Sequence, residues 1–198
     1  MLYDFINIWL KFFFLLTPFF ALTVFLVLTA DLPRPQRHWI AAKTTLAVII
    51  TTLALYFFGD ILFRIFGITI DAFRVGAGCI LFLTSIELVT GKRSMLKVDP
   101  GNDISVVPMA IPVMVGPGTI GAIMVSGVAE PAASGTIVGC AALTAAACSV
   151  GVLLFLADHV KRLVGRTGLE VLSKISGLVI SALAAQIVLT GVKNFLNI

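Results

Sequence analysis

Charge is what this chain has least of. Asp, Glu, Lys and Arg make up 12% of its 198 residues, while hydrophobic residues make up 59%. Globular domains carry about 25% charged residues, so a water-facing surface of ordinary composition is excluded. Long polar stretches are missing too, which leaves no segment from which a separate soluble domain could be built. Histidine occurs twice and cysteine three times, at Cys79, Cys140 and Cys148, all in apolar runs. Cys140 and Cys148 are separated by about 12 Å along a helix, too far for a disulfide. The sequence has no metal-ligand spacing, no nucleophile–base arrangement and no phosphate-loop lysine, so neither an enzyme nor a cofactor is expected.

What the chain has is long apolar runs, with a mean hydropathy of +1.09. A helix needs roughly 20 apolar residues to cross a bilayer. Six runs qualify, at about Phe5–Ala30, Ile40–Phe58, Ala72–Thr90, Ile104–Ala129, Gly135–Ala157 and Val171–Gly191. The expectation is an all-α integral membrane protein with one membrane domain over residues 1–198. The first run is too long for a signal-peptide core and reads as a retained span.

Lys and Arg set the expected orientation. One face collects Arg34, Arg37, Lys43, Lys92, Arg93, Lys97, Lys161, Arg162, Arg166 and Lys174, against Lys11, Arg64, Arg74 and Lys193 on the other. The richer face belongs in the cytoplasm, with both termini outside. A net charge of +4 dispersed over short loops suits a lipid bilayer and not nucleic acid.

The halves correspond at an offset near one hundred. Thr17-Pro18 in the first span matches Gly116-Pro117 in the fourth. Asp60 to Arg64 followed by Gly67 matches Asp158 to Arg162 followed by Gly165, and Thr90-Gly91 matches Thr190-Gly191. Repeat one covers about residues 5–91 and repeat two about 104–191. Three spans per repeat is an odd number, so the second repeat must insert upside down, the inverted plan of many secondary transporters.

The run VPMAIPVMVGPGTIGAIMV, Val107 to Val125, is apolar yet holds Pro108, Pro112 and Pro117. An interior proline costs roughly 3 kcal/mol in an ordinary helix. Broken helices at mid-membrane persist where the freed backbone is buried in protein or lines a wet cavity. Their half-helix N-termini suit a carboxylate and their C-terminal carbonyls an ammonium or metal cation. Gly116, Gly118 and Gly121 would let a ligand approach the backbone. The first and fourth spans, broken at Thr17-Pro18 and Gly116-Pro117, are therefore expected to share a site for a small solute. The simpler alternative is a pair of kinks that shape a bundle.

VPMAIPVMVGPGTI resembles the signature of the MarC family of multi-pass bacterial membrane proteins. FGITIDAFRVGAGCILFL and GLEVLSKISGLVISALAAQIVLTGV resemble its third and sixth spans. The resemblance implies six spans in two inverted halves, a place in the bacterial cytoplasmic (inner) membrane, and transport of small neutral amino acids of the glycine and alanine class. It also implies coupling to an ion such as H+, with Na+ the alternative. Carried over by position, the substrate site falls on Gly116, Pro117, Gly118 and Thr119, and on Thr17, Pro18, Phe20, Ala21 and Thr23. In the first group the match is full. In the second, Thr17 stands where the family has Asp or Asn, Phe20 where it has Gly, and Thr23 where it has a second Pro.

Ionisable groups inside a bilayer are functional candidates by default. Glu87 is the nearest to an intramembrane carboxylate and a candidate for coupling. Lys11 is expected to snorkel to the outer interface, and Arg74 and Lys174, at opposite faces, each to anchor at an interface. Gln186 is expected to be buried and to bond another helix. Asp60 with Arg64, and Asp158 with Arg162, are spaced to pair locally. His38 and His159 have no identifiable partners. The small residues of the fifth span, Gly139, Ala141, Ala142 and Ala145 to Ala147 among them, favour close helix packing. A passive pore, a non-transporting scaffold and a lipid-active enzyme are the competing functional classes. The oligomeric state is not encoded legibly.

Overall fold

The computed structural model describes residues 2–91, 105–129 and 133–196. Lys92, Arg93, Lys97 and the start of the fourth run at Ile104 lie outside the described residues. So does the side chain of Asp60, and with it the expected Asp60–Arg64 pair.

Among the described residues every regular element is helical. In order they are α1 (Leu2–Leu15), α2 (Pro18–Leu28), α3 (Arg34–Phe66), α4 (Ile70–Thr90), a π-helical segment π1 (Ser105–Met114), α5 (Pro117–Ala129), α6 (Ala133–Phe155) and α7 (Ala157–Leu196). Four helices are long and apolar enough to cross a membrane. The count is five when α1 and α2, bent by 40° at their junction, are taken as one span. The outer surface is apolar: Leu46, Ile50, Phe57, Leu83, Val152, Leu178 and Leu189 are each more than half exposed, as lipid-facing side chains are. The chain is an integral, multi-pass membrane protein.

Local chemistry sets the ends. Pro18 and Pro117 each occupy the first position of a helix, where the missing N–H costs nothing. Thr69 caps α4 by accepting from the Ala72 N–H at 3.3 Å. Gly67, at φ 62°, ends α3 in the left-handed region. Gly165, at φ 71°, interrupts α7, so its apolar part begins beyond that break. π1 carries Pro108 and Pro112 four positions apart, which would remove two bonds from a regular α-helix. The wider turn is visible at its end, where the Val115 N–H donates to the Ala110 carbonyl at 2.9 Å.

α4 and α7 pack antiparallel, and glycines set how closely. A Cβ on Gly78 would lie 2.6 Å from Val188 Cγ2 and 3.1 Å from the Ala184 carbonyl oxygen. A Cβ on Gly177 would lie 2.8 Å from Val89 Cγ2 and 3.2 Å from the Ser85 carbonyl oxygen. α1 packs on α6 while π1 packs on α3, and α2 packs on α7 while α5 packs on α4. The fully buried side chains, Phe12, Leu16, Phe25, Met114, Ile123 and Leu143 among them, gather where these helices cross.

At the other end of the bundle, Arg37 reaches Asp158 at 2.8 Å and donates to the carbonyls of Ala30 and Leu32. Asp158 thus serves a long-range pair and not the local one expected with Arg162. His38 has a partner as well, stacking on Phe155 with ring centroids 5.3 Å apart.

Candidate functional site

Both proline breaks fall where the prolines put them. α1 ends as the Thr17 N–H donates to the Phe14 carbonyl at 2.9 Å, and α2 begins at Pro18. π1 ends at Met114 and α5 begins at Pro117. Such ends leave terminal carbonyls that need donors, and deep in a bundle water cannot supply them.

The two breaks satisfy each other. Thr17 Oγ1 donates to the Val113 carbonyl, in the last turn of π1, at 3.3 Å. Thr119 Oγ1 donates to the Leu15 carbonyl, the last residue of α1, at 3.0 Å. Each break therefore sends a threonine hydroxyl to the carbonyl end of the opposite half-helix. Both threonines are 3% exposed, and Leu15, Leu16, Val113, Met114 and Val115 are buried with them. Thr17 has φ 49° and ψ 55° and makes no side-chain cap bond to α2. A β-branched residue in the left-handed region is an outlier, held there at a cost of about 1–3 kcal/mol.

The remaining residues of the expected site have other surroundings. Gly118 is closely packed by α4: a Cβ there would lie 2.5 Å from the Leu81 Cα. Gly121 likewise sits against Ala77. These glycines admit a neighbouring helix, which is a sufficient physical reason for them. Pro117 is exposed and borders a groove of about 310 Å³ against Phe73 and Ile80, almost wholly apolar and without groups to orient a zwitterion. Ala21 is fully buried, and Phe20 is half-buried against the core. The Thr23 hydroxyl donates back to Phe19 within its own helix at 2.9 Å. Glu87 is exposed within the last turn of α4. No group of three or more metal-ligating side chains occurs among the described residues.

A feature missed by reading the sequence alone lies towards the end of the bundle reached by the start of α1. Lys11 turns inward and its Nζ donates to Ser126 Oγ on α5 at 3.2 Å, instead of snorkelling outward. Arg74 also turns inward, with its side chain 13% exposed and paired to Asp71 at 2.6 Å. Lys174, by contrast, is exposed as an interfacial anchor would be. Lys11, Arg74, Ser126, Gln186 and Thr190 line a cavity of about 210 Å³. Gln186 is thus not buried between helices as its position suggested; it is exposed and borders this cavity. The signal available beforehand was a pair of cations, Lys11 and Arg74, each inside an apolar run.

The model of the MarC family of integral membrane proteins matches residues 2–196. A UPF0056 membrane protein of Pyrococcus abyssi is 30% identical over 187 residues, covering 91% of this chain and 90% of its own. One from Methanocaldococcus jannaschii is 31% identical over 195 residues, covering 92% of each. The UPF0056 membrane protein YhcE of Escherichia coli is 30% identical over 190 residues, covering 90% of this chain and 87% of its own. No solved structure matches.

Proposed function

The chain belongs to the MarC family of integral membrane proteins, and from that premise we propose that it is a secondary transporter of a small neutral solute, of the glycine and alanine class. The observation that carries this reading is the meeting of the two breaks, each donating a hydroxyl to the other's half-helix carbonyl. Those carbonyls are the acceptors a substrate ammonium would use, and the threonines hold them while no substrate is bound. Thr17 and Thr119 are the proposed gate, with Pro18 and Pro117 fixing the half-helix starts beside it. Among the site residues expected from the sequence, Gly118 contributes by letting α4 approach.

The transport mechanism proposed is rocking of two inverted three-span repeats, with α1–α2 and π1–α5 as the broken spans. Packing supports it. Gly78, Ser85 and Val89 recur at a constant offset of 99 as Gly177, Ala184 and Val188, and each glycine rests on the other repeat's pair. The pairing of α1 with α6 and of π1 with α3 exchanges under the same operation, as does that of α2 with α7 and α5 with α4. Alternating access then needs one repeat to tilt against the other along the α4–α7 contact. The basic end around Arg37 is proposed to face the cytoplasm of the inner membrane, with both termini outside.

Counterflow of labelled glycine and alanine in proteoliposomes tests the proposal. The informative variant is Thr119→Val, because Gly118→Leu would drive a side chain into the α4 backbone and unfold the bundle. Saturable counterflow in the native protein, with an altered KM in Thr119→Val, is expected. Flux that rises linearly with concentration and shows no counterflow would make the protein a passive pore. Absence of flux for both amino acids would remove this substrate class.

A further inference from the structure

The repeat relates the two ends of the bundle, yet the ends differ. At the end where α4 begins, a cavity of about 210 Å³ lies beside Lys11, Arg74, Gln186 and Thr190. The offset of 99 that carries Gly78 onto Gly177 carries Arg74 onto Ser173 and Gln186 onto Glu87. Gly177 rests on Ser85 and Val89, so Ser173, one turn earlier on α7, comes opposite the last turn of α4. The counterpart of the cavity is therefore a cleft at the other end of the α4–α7 contact, and it is shut. Ser173 is 8% exposed, and its hydroxyl has no hydrogen-bond partner among the described residues. Glu87 stands exposed at the rim. A buried hydroxyl without a partner is unfavourable, and water entering an opened cleft would satisfy it.

Arg37 ties that end together. Its Nη1 reaches Asp158 Oδ1 at 2.8 Å, Nη2 donates to the Ala30 carbonyl at 2.7 Å and Nε to the Leu32 carbonyl at 3.0 Å. Ala30 and Leu32 follow α2, the second half of the first broken span, whereas Asp158 belongs to the second repeat. α2 packs on α7, the helix that carries Ser173. One guanidinium thus fastens the end of a broken span in one repeat to the other repeat. The stacking of His38 on Phe155, with ring centroids 5.3 Å apart, joins the repeats again at the next position along α3. The second repeat does not duplicate this device. The offset places Thr136 where Arg37 stands, and threonine has neither the charge nor the five-donor fork of arginine.

We propose that Arg37 and Asp158 are the latch of a second vestibule, which opens around Ser173 and Glu87 when the latch parts. The cavity at the opposite end closes in exchange. That exchange rests on the transport reading; the latch itself does not. A device present at one end only favours the arrangement in which the cavity beside Thr190 is open and the cleft at Ser173 is shut.

The test is thiol labelling of the full chain in nanodiscs, where a charged methanethiosulfonate reagent reaches both ends of the bundle from water. Cys79→Ala, Cys140→Ala and Cys148→Ala remove the native thiols, and Ser173→Cys or Thr190→Cys supplies one probe. The labelling rate follows the open population when opening is fast relative to reaction. Thr190→Cys is expected to label readily and Ser173→Cys slowly. Asp158→Asn should speed Ser173→Cys about two- to fivefold, the range for a half-exposed ion pair. Arg37→Met, which also releases two carbonyls, should speed it about five- to tenfold. Asp158→Glu keeps the carboxylate and should stay within about twofold of the latched protein. Because one population gains what the other loses, Arg37→Met should slow Thr190→Cys by up to about twofold. Each variant is checked for monodispersity, and Asp158→Asn, which leaves the carbonyl bonds of Arg37 in place, gives the reading should Arg37→Met fold poorly. A Ser173→Cys rate unchanged in the folded variants overturns the latch, as does ready labelling of Ser173→Cys with the latch intact. Asp158→Glu labelling as fast as Asp158→Asn overturns it too. Faster labelling of Ser173→Cys with Thr190→Cys unaffected would leave the latch standing and remove the rocking of the repeats alone.

Discussion

Thr17 is where sequence, strain and packing meet, and replacing it separates their contributions. Thr17→Val keeps the β-branched shape and the left-handed backbone but deletes the hydroxyl that donates to Val113. The Val113 carbonyl, in a residue 2% exposed, then loses its donor from the opposite break. An unsatisfied buried acceptor costs about 1–3 kcal/mol. At 3.3 Å the bond is long for a hydroxyl donor, which places the cost at about 1–2 kcal/mol. For a domain of this size 1 kcal/mol moves Tm by about 2–4 °C, so Thr17→Val is expected to lower Tm by about 2–8 °C. Thr17→Asn should act oppositely. Asn tolerates a positive φ and retains a side-chain donor, so relief of strain is expected to raise Tm by about 2–4 °C. Thermal unfolding of purified protein in one detergent, followed by loss of monodispersity, measures both. An unchanged Tm in Thr17→Val together with a lowered one in Thr17→Asn would refute both the bond and the strain assignment.

Gly118→Ala is expected to abolish accumulation of monodisperse protein, because even a methyl would lie 2.5 Å from the Leu81 Cα; size-exclusion profiles decide it. Arg37→Met should lower Tm more than Asp158→Asn does. Arg37 holds the Ala30 and Leu32 carbonyls as well as Asp158, whereas the half-exposed ion pair alone is worth about 1 kcal/mol or less. Alkaline phosphatase fused after the C-terminal residue should be active and a fluorescent protein there dark, since the Arg37 end is the basic one; the reverse pattern refutes the orientation.

The breaks were legible in the sequence because proline acts locally. Its ring and missing N–H dictate a helix start at Pro18 and Pro117 whatever surrounds them. Two span starts were legible from apolar length, since α4 and α6 begin within two residues of the expected boundaries, whereas α3 and α7 begin six and fourteen residues earlier than expected. Side-chain direction was not legible. Lys11 lies in the same kind of apolar run whether it faces lipid or Ser126, and only the crossing of α1 with α5 decides between them. Gly118 and Gly121 illustrate the same limit. A glycine beside a break reads as room for a ligand, but Leu81 and Ala77 occupy that room from a helix about forty residues away in sequence. Asp158 and Gln186 were misplaced on similar grounds, since the i,i+4 neighbour is visible in sequence and the long-range partner is not.

The two threonine bonds also set a scale for how the breaks could work. A neutral hydroxyl-to-carbonyl bond contributes a net of about 0.5–1.5 kcal/mol, so the pair biases the closed contact by about 1–3 kcal/mol. A bias of that size leaves the open arrangement populated at roughly 0.6–16%, accessible without being dominant. An ammonium donating to the Leu15 and Val113 carbonyls makes charge-assisted bonds of about 1.5–3 kcal/mol each, which exceeds what the hydroxyls supply. On the proposed transport reading, a gate of this strength would yield to a zwitterion and stay mostly closed without one. It is not symmetric. The counterpart of Thr17 in the other repeat is Gly116, and the counterpart of Thr119 is Phe20, neither of which has a side-chain hydroxyl. Under the proposed rocking of the repeats, tilting either way would break different bonds, and the two access states would differ in energy. An Asp at position 17, one of the two residues (Asp or Asn) that the family resemblance leads one to expect, would accept hydrogen bonds when ionised and could not donate to Val113. With Thr17 the first break is a donor, which closes the contact through hydroxyls.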